Sequence, residues 1–426
     1  MTRPGLHSGH GVDRDSLLTT LLGRSESLFG RDVEAQAAAI RERFEGKRIL
    51  VTGAAGSIGS SVVRQLTKCR PALVAAVDLS ENNLVELVRD ARSDTSLDIG
   101  AALKTYVLDI GSALMEKFLR TAGPFDVVLH FAAMKHVRSE RDVFSLARLI
   151  DTNVLALDRF LGALKRSFSC DVFAVSTDKA CRPKSFMGAS KRAMEIVGSW
   201  HAQNPGSILG SGGQSPPVRF SAARFANVAF SDGSLLDGFL HRISKHQPLA
   251  GPSDVRRYFI SAREAGELCL LTASLAESGE IFVPRILREP DAMRFDEIAA
   301  SIVRAFGYEP SWHDSYTDAR LAVPHDLPRG RYPCCFSTSD TSGEKKIEEF
   351  VAPGEQLTPT PLSTIDVIGK SPSPDATEVS RIVRGLAREI EELTPETSAA
   401  RFAALLSELV PSFAHVDTGR HLDQKM

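Results

Sequence analysis

The stretch Arg48-Ile-Leu-Val-Thr-Gly-Ala-Ala-Gly-Ser-Ile-Gly59 constrains this chain more than any other. A short apolar run ends in glycine, and glycines 53, 56 and 59 lead into a helical segment from Ser57 to Leu66. A second apolar run, Leu73 to Asp78, closes on an acid roughly 20 residues further on. In such a turn Gly53 permits the sharp bend and Gly56 lets the backbone approach a pyrophosphate. Gly59 lets helix and strand pack closely. The helix start at Ser57 and Ile58 offers free N–H groups and a positive dipole end to phosphate oxygens. Asp78 can accept both hydroxyls of a ribose, which favours NAD over its 2′-phosphorylated counterpart.

Strand and helix then alternate. Strands are expected at Leu103 to Leu108, Asp126 to Phe131, Asp171 to Ser176 and Val218 to Arg224. Helices are expected at Glu81 to Arg92, Phe144 to Leu164 and Ser185 to His201. This spacing predicts an α/β fold, a Rossmann-type doubly wound parallel sheet with a smaller C-terminal substrate-binding lobe. Residues 1–45 read as an arm, loose to about residue 20, and a helix from Asp32 to Phe44. Residues 46–232 read as the NAD-binding domain, with a Gly/Ser/Pro-rich surface loop from Gln203 to Pro217. Residues 233–368 read as the lobe, with strands that can return to the main sheet. Gly369 to Pro374 reads as a linker, and 375–426 as a helical segment with amphipathic stretches at Glu378 to Leu393 and Ser398 to Leu409. These stretches and the Asp32 to Phe44 helix could cover the lobe or form an oligomer interface.

Charge and composition exclude several classes. With 51 Lys and Arg against 53 Asp and Glu, the net charge of −2 gives no nucleic-acid footprint. No apolar run approaches the roughly 18 residues of a membrane span, and no apolar core follows the polar N-terminus as in a secretory signal. The six cysteines form no CxxC pair, and Cys334 and Cys335 are adjacent. That usage suits neither zinc nor disulfides and predicts a reducing, cytoplasmic setting. His313-Asp314 and His325-Asp326 lack a third ligand at metal spacing, so no metal is expected.

Polar groups gather where the strands end. The fifth strand runs into Ser176-Thr177-Asp178-Lys179, and ligands of open α/β sheets bind outside the carboxyl ends of strands. Met187-Gly-Ala-Ser-Lys191 follows at the start of the next helix. Lys135 and His136 leave the fourth strand at the same edge. Asp109, at the end of the third, either reaches an adenine edge or caps a turn. Asn153 sits inside a helix, where asparagine is mildly unfavourable, which hints at a buried polar role.

The glycine spacing resembles that of the short-chain dehydrogenase/reductases. Their extended branch carries Ser or Thr at this strand end and Tyr-x-x-x-Lys one helix later. Here Met187 takes the Tyr position and Lys191 is kept. The combination resembles the CapD-type polysaccharide biosynthesis proteins, nucleotide-sugar 4,6-dehydratases acting on UDP-N-acetylglucosamine. The stretches that carry it include Leu21-Leu-Gly-Arg24, Asp78-Leu-Ser-Glu-Asn-Asn-Leu84 and Phe131-Ala-Ala-Met-Lys-His-Val137. Further on come Ser176-Thr-Asp-Lys-Ala180, Met187-Gly-Ala-Ser-Lys-Arg192, Arg224-Phe-Ala-Asn-Val228, Arg257-Tyr-Phe259 and Gly343-Glu-Lys345. The large members of that family have membrane helices ahead of the enzyme domain, and this chain looks like a detached catalytic unit.

The resemblance implies oxidation at C4 of the sugar, loss of water across C5 and C6, and hydride return to C6. It makes Lys179 the C5 base and Asp178 the C6 acid. A lysine base must be neutral, which burial or a nearby cation favours. Thr177 would hydrogen-bond the C4 oxygen, and Lys191 the nicotinamide ribose. Ile110, Ala132, Asp109 and Asn153 would lie by the cofactor. Lys135, His136, Ser176, Asn227 and Arg257 would bind substrate, and the planar fork of arginine matches a diphosphate. Met187 has no acidic group, so Asp178 or a water would replace the tyrosine. The Met branch implies retention at C5.

The chain departs from the family at Val228-Ala-Phe-Ser-Asp-Gly-Ser234, where Phe230 replaces a tiny residue and Asp232 adds a charge, and at Thr341-Ser342. Other readings are a nucleotide-sugar epimerase, a dehydratase of other regiochemistry, and a non-catalytic NAD-binding regulator. Assemblies of several copies are common in the superfamily, so a homo-oligomer is expected.

Overall fold

Strands buried on both faces need unbroken apolar runs, and that is what the first two strands supply. A computed structural model describes residues 14–93, 102–204, 217–339, 343–370 and 375–415. Six parallel strands carry the Rossmann half: β1 (Arg48–Thr52), β2 (Leu73–Asp78), β3 (Leu103–Val107), β4 (Val127–His130), β5 (Cys170–Thr177) and β6 (Val218–Phe225). They lie in the order β3-β2-β1-β4-β5-β6. Ile281–Pro284 adds to β6 in parallel, and Ile365–Ile368 adds to that strand antiparallel. The order reverses between β1 and β4, and that switch point opens a crevice at the strands' carboxyl ends.

Alternation along each strand divides the core into two layers. Ile49, Val51, Val74 and Ala76 pack with the helix Ser57–Thr67 and the helix Ala262–Leu275. Leu50, Ala75 and Val77 pack with the helices Ala113–Ala122 and Ala156–Ser167. Helices therefore cover both faces, as the spacing predicts.

Several boundaries differ from expectation. Arg14–Leu22 is a helix, not a loose arm, because Leu17 and Leu21 are buried against Phe239 and Ile298. Residues 1–13 and most of the Gln203 to Pro217 and Gly369 to Pro374 segments lie outside the described residues. The helix expected from Asp32 to Phe44 breaks at Gln36 into Gly30–Ala35 and Ala37–Phe44. Phe29, Ile40 and Phe44 bury these pieces on the main sheet.

The lobe is not one contiguous stretch. Its three parallel strands are Leu249–Pro252, Glu309–Trp312 and Arg331–Ser337. Between them the chain returns to the main sheet through Ala262–Leu275 and Ile281–Pro284. The helices Ala376–Glu391 and Ala399–Leu409 cover the Rossmann half and not the lobe. Val379, Ile382, Leu386, Phe402 and Leu406 pack on Leu149, Val154, Ala193 and Val197 of the Rossmann half. Among the described residues no helix is long and apolar enough to cross a membrane.

Candidate active site

The glycine turn is forced by contact as well as conformation. Gly53 has φ of +67°, and a Cβ there would lie 2.5 Å from Ala132 N. A Cβ on Gly59 would lie 2.2 Å from Gly53 O. Gly56 is different. Its φ is −77°, and a Cβ would meet only Gly53 O at 3.5 Å, an ordinary contact. The chain itself does not require glycine there, whereas a ligand lying against the backbone does. Asp78 closes β2 and accepts from Ala55 N and Ser80 N, both at 3.0 Å.

A cavity of about 1450 Å³ joins this turn to the polar strand ends. Gly53, Gly56, Ser57, Ile58 and Gly59 line it, as do Thr177, Lys179, Met187 and Lys191. Lys135, His136, Ser176, Asn227 and Arg257 line the same space.

At its centre β5 passes into the tight turn Asp178–Ala180. Lys179 Nζ donates to Asp178 Oδ1 at 2.9 Å and to Asn227 Oδ1 at 3.2 Å. Thr177 Oγ1 donates to the same Asp178 oxygen at 2.8 Å. Asp178 is fully buried, and its Oδ2 has no hydrogen-bond partner among the described residues. It does not line the cavity, so an acid role for it runs through Thr177 and Lys179 or needs the turn to move. The helix Phe186–Gln203 packs directly on this turn. A Cβ at Gly188 would lie 2.5 Å from Lys179 O.

Lys191, one turn further along that helix, is 6% exposed. Burial pushes its ammonium down to about 8, against the pull of Glu195. Among the described residues its hydrogen-bond partner is Met194 Sδ at 3.2 Å, a weak acceptor. A buried ammonium so poorly satisfied, facing the cavity beside the glycine turn, fits the hydroxyls of a ribose.

Other expected residues hold the frame. Asn153 lies in a π-turn, Asp151–Leu155, inserted in the long helix, and such insertions re-aim side chains. Its amide accepts from Met134 N at 2.8 Å and donates to Met134 O and Ser190 Oγ at 2.9 Å. It is thus a positioning residue for the loop after β4, with its amide engaged by protein and not by the cavity. Asp109 accepts from Gly111 N at 2.9 Å and pairs with Arg148 at 3.2 Å, the turn-capping alternative. Ile110 is buried in the core and Ala132 packs against Gly53, and neither lines the cavity. Ser176 lines the cavity, but its hydroxyl goes to Glu195 Oε1 at 2.5 Å. Arg257 is buried and not a surface ion pair. It donates to Lys345 O at 2.9 Å and Glu344 Oε1 at 3.3 Å. His313 Nε2 lies 3.5 Å from Asp326 Oδ2.

Two features were missed by reading the sequence. Glu140, on the short turn Val137–Arg141, accepts from Met187 N at 3.0 Å. Burial raises its carboxyl to about 7. The second is a buried charge quartet beneath the site. Arg224 reaches Glu195 at 2.8 Å and Glu355 at 2.6 Å, and Arg192 reaches the same acids at 2.7 and 2.8 Å. Burial opposes the Glu195 charge, yet Arg224 holds the carboxyl down at about 2. A carboxylate four residues after Lys191 on a buried helix face was the available signal for Glu195.

The sheet order, the glycine turn and the crevice define a Rossmann fold of the short-chain dehydrogenase/reductase type. Residues 49–368 match the family described as polysaccharide biosynthesis protein, and the chain belongs to that family. The capsular polysaccharide biosynthesis protein CapD of Staphylococcus aureus is 30% identical over 286 residues, 66% of this chain and 45% of that protein. This chain thus spans less than half the length of that relative. A UDP-N-acetylglucosamine 4,6-dehydratase (inverting) of Campylobacter jejuni is 28% identical over 248 residues, 57% of this chain and 68% of that one. Among solved structures, the dTDP-glucose 4,6-dehydratase DesIV of Streptomyces venezuelae, with NAD and TYD bound, superposes with a TM-score of 0.50 at 19% identity. That match covers 85% of this chain and 97% of DesIV, and it bears on the fold.

Proposed function

We propose that the chain is an NAD-dependent nucleotide-sugar 4,6-dehydratase acting on a UDP-N-acetylhexosamine, with UDP-N-acetylglucosamine as the substrate of choice. The observation that carries this reading is that Thr177 and Lys179, both hydrogen-bonded to the buried Asp178, line one cavity with Lys191 and the glycine turn. Gly56 and the under-satisfied Lys191 fit a bound dinucleotide, and Asp78 favours the form without a 2′-phosphate. When bound, NAD would supply the hydride acceptor at C4 and the hydride donor at C6.

The chain's own residues move the protons. Thr177 hydrogen-bonds the C4 oxygen and passes the hydroxyl proton to Asp178, its partner at 2.8 Å. With the turn Asp178–Ala180 moved so that its buried carboxyl meets the cavity, Asp178 gives that proton to the departing C6 hydroxyl, and water leaves. Lys179, as the neutral amine, takes the C5 proton and returns one to C5 at the end. The protons balance without a tyrosine at position 187. Two groups of opposite role standing side by side are what the elimination needs, since acid and base must act on adjacent carbons. Arg257 and Lys135 meet the diphosphate and sugar, while Lys191 holds the ribose next to the nicotinamide. An epimerase at C4 has no use for a C5 base.

Incubation with UDP-N-acetylglucosamine in deuterated water, read by mass spectrometry and NMR, tests the proposal. The expected product has lost one water and carries deuterium at C5, and its C5 configuration is read from the same spectrum. Inversion at C4 with no loss of water would replace this reading by an epimerase. No change in any nucleotide sugar, with NAD still bound, would point to a regulator.

A further inference from the structure

The segment Ala229–Ser234 ties three parts of the molecule together. Phe230 takes a left-handed φ of +54°, an uncommon choice for a bulky residue, and its ring is buried in the lobe's core with Phe239 and Phe259. Gly233 lies against His136, since a Cβ there would come within 2.9 Å of the imidazole. Between them, Asp232 is tied to the glycine turn twice. Ser57 Oγ donates to Asp232 Oδ2 at 3.0 Å, and Asp232 N donates back to Ser57 Oγ at 3.0 Å. Ser57 is the first residue of the helix that opens on the cradle. An exposed carboxylate is therefore anchored at a helix start that otherwise collects partial positive charge for phosphate oxygens.

We propose that Asp232 sets cofactor affinity: its charge at the mouth of the cradle opposes the dinucleotide's diphosphate. The inference rests on the reading that this turn binds NAD. Phe230 is its anchor, because a strained backbone held by a buried ring keeps the segment, and with it the carboxylate, over the turn. Asp232 is exposed, so the repulsion is partly screened by solvent and weakens with salt.

The test is the dissociation constant of NAD for the whole protein, measured by calorimetry for the wild type, Asp232→Asn and Asp232→Ala. Asn keeps an acceptor for Ser57, so it removes the charge and spares the tether. Adenosine, which has no phosphate, serves as the control ligand. The expected result is NAD binding about tenfold tighter in Asp232→Asn at low ionic strength, with the ratio falling toward one as salt rises. Adenosine should bind all three alike. Unchanged or weaker NAD binding by Asp232→Asn overturns the proposal and leaves the cofactor reading intact. A parallel change for adenosine also overturns it, since a rearranged loop would then be the cause. Failure of all three proteins to bind NAD overturns the cofactor reading and this inference with it.

Discussion

Lys179 stands under two opposing demands. Asp178 at 2.9 Å holds its ammonium, while proton removal from C5 needs the amine. Lys179→Met keeps the length of the side chain and loses the base. Its kcat for water loss should fall by at least ~10²-fold, and deuterium should no longer enter C5, while NAD still binds. Glu140 makes a prediction of different sign. Its carboxyl titrates near 7 in the folded chain against 4.5 in its ordinary state, because burial disfavours the charge. Between those values the folded state binds the extra proton, so stability falls as pH rises through the window, with the full penalty present above it. Glu140→Gln keeps an acceptor for Met187 N and cannot ionise. It should be more stable than wild type at pH 8, by at most ~3 kcal/mol, and equal to it below about pH 4. Urea melts at the two pH values measure this. His415 Nε2, 3.9 Å from Glu140 Oε2, trims the effect where it is protonated.

At the scale of elements, the close seat of the helix Phe186–Gln203 on the turn Asp178–Ala180 depends on a missing side chain. Gly188→Ala would drive a methyl into Lys179 O, so either the helix or the turn must shift. The expected cost is about 1–3 kcal/mol of stability and a large loss of turnover, with NAD binding reduced less. Thermal melts and turnover assays on the one variant separate the two effects. What was legible in the sequence at this scale follows from local chemistry. The glycine turn, the apolar strands and the helix that begins near Ser185 each announce themselves within a dozen residues. The break at Gln36 and the π-turn at Asp151–Leu155 carry no such signal, because packing against distant partners produces both. Asn153 illustrates the limit: its oddity inside a helix was visible, but its partner Met134 was not. Asp178 is the same case reversed, since its place in the motif was plain and its burial behind Thr177 and Lys179 was not.

For the molecule as a whole, the C-terminal helices matter most for integrity. The family match ends at residue 368, and these helices lie beyond it. They seal the apolar flank of the helix that carries Met187 and Lys191, and Ala414 N donates to Pro183 O at 3.1 Å near that helix's start. Phe402 is fully buried there. Phe402→Ala should cost about 3–5 kcal/mol and lower the melting temperature. It should also bring earlier proteolysis of the segment after residue 370, which limited digestion followed by mass spectrometry would detect.

The quartet of Arg192, Glu195, Arg224 and Glu355 has a consequence for how this sequence can change over time. Two positive and two negative charges balance one another, with Arg224 and Glu195 fully buried and Arg192 at the partly exposed edge. Losing Arg224 leaves buried carboxylates short of their central partner, at about 3–5 kcal/mol, a large share of what holds a protein of this kind together. The leucines and isoleucines around it can be exchanged one at a time at little cost. The four charged positions can be replaced only in concert, through intermediates that fold poorly. They should therefore outlast most of their apolar neighbours in any lineage that keeps this fold, whatever sugar its members have come to use.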